Sequence, residues 1–583
     1  MKTTIFNIKR LFTAAVAVAA VSLSSCSLEE DMKSNYSPDN FYRSAAECEA
    51  GLNGCYIPAR SIFNGTYMLA TESITDIMYC NSGTRDAELD ISPANPRFGN
   101  TMWNNGYQGV MRANNVLAAI ERCEALNDRE RAVLHAEGVI HRAYYYWILT
   151  SNFNDVPFYT DEIRVTRDQL RIAKYPRMSA VDTRRFLVDD LEEALSSPYV
   201  EQRRTFGEGT EYRMGAAVGW MLAAKLCMWN ASAESKNPDL QQFKMEHPYH
   251  KPYEGAAYWW QRALTMLQHL EDIYGDLSQY PIEDNIFSKK YTLESIWENS
   301  NIYDEQGLKV TINVASFFTP TRSTASGSED EIGYGTDAYY GFVEIPELGG
   351  YARTYTAFRP NAYFYQQLQN YDNFNRMERG ENYDKRILIN LAWGWDAENS
   401  TSNPWSERFQ WFKSKNSSTG KITDYTSGSR PWMGRKFWCP GMRNTSDSNN
   451  HRIFRYAAVP IMQAECYLML DDRARSAEYL NKVRSRAGLG PVIPENYLST
   501  AAFMIEIQKE HARELIGEFQ RKHELVRWGI WYESVLEYNQ NTAYNKLLFD
   551  NIRPCHEYYP IPDRQCSYSG GALDNKAYNE YGM

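Results

Sequence analysis

The side chains in this chain best suited to engaging a ligand are aromatic and sit in polar, Gly-rich stretches. Tyr334, Asp337, Tyr339 and Tyr340 fall between Gly333 and Gly341. Trp393 and Trp395 lie two residues apart within Ala392–Asp396, and Tyr79 opens a polar run that ends at Arg85. Tyr and Trp faces pack on the apolar faces of sugar rings, while carboxylates, carboxamides and guanidinium groups orient the hydroxyls. Tyr79, Arg85, Tyr334, Asp337, Tyr339, Tyr340, Trp393 and Trp395 are therefore the candidate ligand-binding set. The competing reading has these rings packing small cores of their own or facing another protein. Bond-breaking chemistry has weaker support. The sequence holds no GxSxG, HExxH, phosphate loop or GxGxxG, so no catalytic residue and no cofactor is expected. Its 9 histidines, among them His135, His141, His269 and His451, are scattered without metal-ligand spacing, and no cysteines show CxxC spacing, so no metal site is expected either. With 73 acidic residues, carboxylate pairs are inevitable, and sequence does not give their separation. A glycoside hydrolase is the weaker alternative. A helical-repeat scaffold for other surface components is another, although a scaffold has no need of tryptophans in polar loops.

The amino terminus carries different chemistry. Lys2, Lys9 and Arg10 precede the apolar run Leu11–Leu23, and Leu23-Ser24-Ser25-Cys26 follows. The run is shorter than the roughly 20 apolar residues needed to cross a bilayer, and charge, short apolar core and small residues read as a secretory signal over residues 1–25. The tetrapeptide resembles the bacterial lipobox, which implies that Cys26 is acylated and becomes the first mature residue, anchoring the protein to a membrane it does not span. The acidic run Ser27–Asp31 resembles the surface-export signal of Bacteroidetes lipoproteins.

The elements that must position the aromatic loops are helical. The chain has 583 residues, of which 43% are hydrophobic and 23% charged, ordinary values for a globular protein large enough for two lobes. A net charge of −11 argues against nucleic acid, whose binders need a basic footprint. Ser37-Pro38 is expected to cap a helix carrying Phe41, Ala45 and Cys48. Apolar stripes predict helices from about residue 101 to 122, over Arg129–Thr150, Ala180–Leu195, Met214–Trp229 (Ala- and Gly-rich for close packing) and Ala256–Tyr274. Further helices are expected around Val459–Leu470, Ala477–Ala487 with Gly488 as C-cap, Phe503–Gly517 and Leu525–Leu536. Paired helices with short connections predict a mainly α fold with a tetratricopeptide-like helical-repeat scaffold. Residues 276–450, crowded with Gly, Asn, Trp and Tyr, are expected to form a loop-rich, aromatic-rich second lobe containing few short strands. The expected division is a signal peptide at 1–25, an N-terminal helical-repeat region at 26–275, the candidate ligand-binding lobe at 276–450, and a C-terminal helical region at 451–583. Without Cys26, nine of the 10 cysteines remain, so an oxidising compartment leaves at least one thiol free. Cys227 and Cys466 read as core residues. Cys48 with Cys55, or Cys555 with Cys566, are candidate disulfides that spacing leaves open.

Several motifs, in serial order, resemble the SusD/RagB family. They are Ala136-Glu137 with Arg142–Tyr146, Asn154–Phe158, Tyr175-Pro176-Arg177 with Asp189–Leu195, Arg213–Ala217 and Ser295–Glu298. In the last part of the chain they are Phe454–Ala457, Ala464–Tyr467, Leu480–Gly488, Glu510 with Arg513–Leu515, Glu524–Gly529 and Tyr559–Pro562. The closing segment departs from the family pattern, with Asp574–Tyr578 in its place, and Phe519–His523 lacks a glycine often found there. The resemblance implies a SusD-like nutrient-binding lipoprotein of the outer membrane, facing outward, that passes a glycan or similar nutrient to a SusC-like TonB-dependent transporter. Read as residues alone, Glu465, Asn481, Arg484, Arg486, Glu510, Arg513 and Glu514 alternate in sign on adjoining helices, and arginine forks suit bidentate pairing with carboxylates. Their expected role is to hold the fold together.

Overall fold

The computed structural model describes residues 41–63, 65–80, 91–163, 177–202, 209–236, 249–287, 289–303, 309–310, 314–318, 358–370, 372–392, 413–415, 422–424, 432–437, 449–539 and 546–583. In chain order the elements used below begin with helices α1 (Ala45–Ile62) and α2 (Gly65–Glu72), strand β1 (Met78–Cys80), and helices α3 (Phe98–Arg122) and α4 (Asp128–Phe153). Helices α5 (Ala180–Leu195), α6 (Ala216–Lys236) and α7 (Ala256–Tyr274) follow. The short strands β2 (Ser295–Asn299), β3 (Phe358–Pro360), β4 (Leu391–Ala392), β5 (Trp432–Met433) and β6 (His451–Arg455) come next. Helices α8 (Ala458–Met469), α9 (Arg473–Arg486), α10 (Thr500–Leu515), α11 (Arg521–Trp528) and α12 (Trp531–Tyr538) complete the set.

The fold is mainly helical, with few short strands, as the stripes predict. Helices α5 and α7 have the bounds their spacing indicates. Asn127 and Glu130 form a capping box that starts α4, and Gly488, at φ +82°, closes α9 as expected. Two expectations fail. Ser44, whose hydroxyl accepts the Glu47 N–H, caps α1, so Phe41 lies ahead of that helix; Ser37 and Pro38 lie outside the described residues. The single helix expected over Leu525–Leu536 is two, because Gly529 adopts left-handed backbone (φ +75°) and ends α11.

Each long helix packs on the next from α3 through α7, α1 lies against α3, and α7 then meets α8. The approach is close where glycine faces a large side chain. A Cβ on Gly219 would lie 2.6 Å from Leu195, and Gly109 sits against the Tyr145 ring. Helix α4 is enclosed, with every residue from Ala136 to Phe153 buried, and its charged members Glu137 and Arg142 meet opposite charges there. Cys227 and Cys466 are core residues. Cys48 and Cys55 both stand on α1, seven residues and so about 10 Å apart along the axis, beyond the roughly 7 Å a disulfide spans. Cys555 and Cys566 are separate thiols, with Cys566 against the Ile561 carbonyl.

The motif residues pair with one another in the interior. Arg213 forks onto Glu137, Arg142 meets Asp190 at 2.6 Å, and Arg527 donates two 2.6 Å bonds to Glu465. The densest cluster surrounds Glu514 on α10. Its carboxylate accepts from Arg455 (2.7 Å), Arg386 (3.0 Å) and Arg486. Arg455 also bonds Glu294 and Glu518 at 2.7 and 2.8 Å, Arg386 forks onto Asp384 and reaches Glu510, and Lys436 meets Glu518 at 2.6 Å. Burial opposes ionisation of Glu514 and Glu518. The fields of Arg486, Arg455 and Arg386 overcome it and hold Glu514 well below the usual carboxylate range, and Arg455 with Lys436 brings Glu518 to about 2. Removing one partner strands buried charge, so Glu514→Gln is expected to cost about 3–5 kcal/mol in guanidinium unfolding. Depressed carboxylates contribute stability that is present above their ordinary value of 4.5 and lost as pH falls toward 2. Unfolding free energies measured across that window should fall steeply for the native chain and less steeply for the variant.

Candidate functional site

Strand β1 is the first fixed point for the candidate residues. It pairs antiparallel with β3, in register Met78 to Pro360, Tyr79 to Arg359 and Cys80 to Phe358. Three residues cannot hold such a ladder alone, and side chains from distant segments secure its approach. Arg521 on α11 forks onto Asp76 at 2.8 and 2.5 Å, Trp531 donates to the Ile74 carbonyl at 2.9 Å, and Asn539 to that of Thr75 at 2.8 Å. The Asn361 backbone N–H bonds the Ile77 carbonyl at 2.9 Å and its side chain bonds that of Asp76. Tyr363 stacks on Tyr538 at 4.0 Å beside the same segment.

A second ladder adjoins the first. β4 pairs with β5, Ala392 opposite Trp432 and Leu391 opposite Met433, and β5 packs against β3. Gly434 approaches so closely that its N–H bonds the Asn390 carbonyl at 2.7 Å, while a Cβ there would strike the Ile389 carbonyl. Beneath the ladders the one-turn helix Val314–Phe318 lays Phe318 on Phe358 (5.1 Å) and on Phe437 (4.3 Å), and Phe437 meets Phe287 edge-on.

These contacts gather the roots of three separate chain segments. Residues 81–90 leave from Cys80, residues 319–357 leave from Phe318 and return at Phe358, and the residues beginning at 393 leave from Ala392. Tyr79 lies on β1, with its backbone opposite Arg359. Arg85, Tyr334, Asp337, Tyr339, Tyr340, Trp393 and Trp395 lie outside the described residues, as does Cys26. Trp393 is the first residue beyond β4. The positioning residues Asp76, Asn361 and Arg521 have no periodic signal in the sequence. Arg521 lies in the Phe519–His523 stretch noted for its missing glycine, and Phe519 there holds left-handed backbone (φ +61°) that glycine adopts more easily. Its ring is kept in place by Phe63 and Tyr67. Among the described residues no group of three or more His, Cys, Asp or Glu is arranged to hold a metal ion, and no helix is long and apolar enough to cross a membrane. Open grooves of about 520 and 680 Å³ border His269, on the outer side of α7, and are lined by scaffold residues.

Residues 283–578 match the sequence model described as the SusD family, and residues 26–194 match one described as starch-binding associating with outer membrane. The chain belongs to the SusD family. SusD-like protein P25 of Formosa agariphila is 23% identical over 95% of each chain. The crystal structure of a SusD homolog from Bacteroides thetaiotaomicron, 17% identical, covers 93% of this chain and 98% of its own with a TM-score of 0.69. Surface glycan-binding protein A from the same organism, in complex with laminarihexaose, is 17% identical over 91% of this chain and 99% of its own, with a TM-score of 0.60. At such identities the two structures show a shared SusD fold. The motif pairs found here (Glu137 with Arg213, Glu465 with Arg527, Glu514 with Arg455) are interior contacts of that fold.

Glu72, at the end of α2 where the chain turns toward β1, is buried and accepts the Gln520 N–H at 3.1 Å. Burial raises its carboxyl to about 8, against the bonds from Arg521 and Gln520 and the field of Arg521, which lower it. A carboxyl raised on folding contributes stability that is complete below its ordinary value of 4.5 and lost as pH rises through 8. Between pH 5 and 8 the native chain should therefore lose up to a few kcal/mol from this group. Glu72→Gln should flatten that slope in urea titrations run at a series of pH values, and an unchanged slope would refute this assignment.

Proposed function

We propose that this protein captures a glycan at the outer face of the outer membrane and delivers it to a SusC-like TonB-dependent transporter, without chemically altering it. The observation that carries the reading is that the β1–β3 and β4–β5 ladders bring together the ends of three chain segments that hold the candidate aromatic residues. SusD-family membership supports it, as do a similar structure in complex with laminarihexaose and a similar laminarin-binding SusD-like protein. On this reading residues 276–450 supply the ligand-facing lobe. Trp393, Trp395, Tyr334, Tyr339, Tyr340 and Tyr79 offer stacking faces, while Asp337 and Arg85 orient hydroxyls. An acyl group on Cys26, after removal of residues 1–25, supplies the membrane anchor, and the acidic Ser27–Asp31 run directs export.

Trp393→Ala and Tyr340→Ala should each weaken retention of a growth-supporting glycan about tenfold or more by calorimetry or affinity electrophoresis, since a stacked aromatic contributes on the order of 1 kcal/mol or more. The melting temperature should stay unchanged. Full binding in both variants would remove them from the site. Product analysis of the same incubations separates capture from hydrolysis, since turnover abolished by a single Asp or Glu substitution would favour an enzyme. Affinity capture through the lipidated protein from outer membranes should recover a large β-barrel; with the barrel expressed and none recovered, the delivery step is wrong.

A further inference from the structure

Three of the chain's thiols share one small core between α1 and the end of α3, walled by Leu52, Val116, Ile120 and Leu134. Cys48 faces inward from the first turn of α1, Cys55 from two turns further on, and Cys123 is the residue that caps the C-terminus of α3. All three are buried. Cys55 turns back on its own helix, donating to the Gly51 carbonyl at 3.7 Å. Cys48 and Cys123, both free thiols here, belong to the same small core, and the Cys123 thiol adds to the burial that raises the Cys48 thiol. The Cys123 backbone is fixed on both sides. Its N–H bonds the Ile120 carbonyl at 3.3 Å, and its carbonyl accepts Arg131 Nη2 at 2.7 Å.

We propose that the exported chain carries a disulfide between Cys48 and Cys123, joining the first helix of the scaffold to the end of the third. The proposal rests on the export reading above, because a reducing compartment would leave both thiols free. Closing the bond removes a proton from each Sγ and two electrons from the pair. A disulfide-bearing thiol oxidoreductase accepts them, its own S–S bond being reduced to two thiols through a mixed disulfide with one of the cysteines. In the folded chain, burial pushes the Cys48 thiol up to about 12, so little thiolate is available there. The exchange therefore belongs to the folding chain, before α1 docks, and the finished bond resists reductants until the core opens. The position suits a load-bearing role. A terminal helix of a stacked array has a neighbour on one side only, and α1 is the first long helix among the described residues.

The test is a tryptic digest, without reductant, of the full chain released from outer membranes, denatured in guanidinium with iodoacetamide. The expected result is one linked pair of peptides holding Cys48 and Cys123, which separates on reduction, with Cys55 alkylated. In native buffer dithiothreitol should leave the link intact. Oxidised Cys123→Ser should melt several °C below the oxidised native chain, and the two should melt together once reduced in denaturant and refolded. In parallel, the reduced full chain is refolded in a glutathione disulfide buffer. Recovery of the chain from outer membranes checks the export reading separately, and linkage on refolding but not in that chain overturns the disulfide while sparing the thiol pairing. Alkylation of both residues in each sample, or a Cys48–Cys55 link, overturns the pairing itself.

Discussion

One carboxylate, Glu514, accepts hydrogen bonds from Arg386, Arg455 and Arg486 in the interior. Isolated charges at that depth would cost far more than folding supplies, so each must meet several opposite groups, and they do so through a continuous network. The network draws on chain segments hundreds of residues apart: Glu294 before β2, Asp384 and Arg386 before β4, Lys436 after β5, Arg455 at the end of β6, Arg486 on α9, and Glu510 and Glu514 on α10 with Glu518 just beyond it. Hydrophobic burial alone is non-directional and would tolerate sliding of these segments. Arginine forks on carboxylates fix their relative positions.

The two ladders inherit that order. Arg386 and Lys436 bracket the β4–β5 ladder, with Lys436 also donating to the Glu514 and Ile516 carbonyls. Arg521 on Asp76 does the same for β1. The ladders are too short to stand as sheets, and the charge cluster and the Phe318–Phe358–Phe437 stack do the holding.

Much of the scaffold was legible in the sequence. The stripes on α5 and α7, the cap at Gly488 and the close-packing glycine of α6 follow from helical period and side-chain size. The pairing role assigned to Glu465, Arg486, Glu510 and Glu514 follows from alternating sign. Some of their partners were not legible: Arg386 and Glu294 come from turns, where no period marks which residue points inward. The break at Gly529 was missed because apolar spacing runs through it, and only the left-handed backbone interrupts the helix. The Cys48–Cys55 spacing misled because seven residues on a helix share a face without being near each other. Of the candidate site, composition proposes Tyr79 and its companions, whereas the strand pairing between residues 78–80 and 358–360 was not legible, since it joins distant segments without a local signal.

That pairing sets the order in which the protein can become functional. β1 meets a partner about 280 residues later in the chain, and the Arg521 that steadies it is 445 residues from Asp76. Local helices form early and cheaply, whereas contacts of such sequence separation must wait for the long loop between them to close. The helical array can therefore begin to assemble while the chain is still emerging, but the β1–β3 ladder is fastened last. A chain interrupted between α7 and α11 keeps its first helices and lacks the arginine that fastens β1, so the ladder is secured only when roughly the last ninth of the chain has arrived.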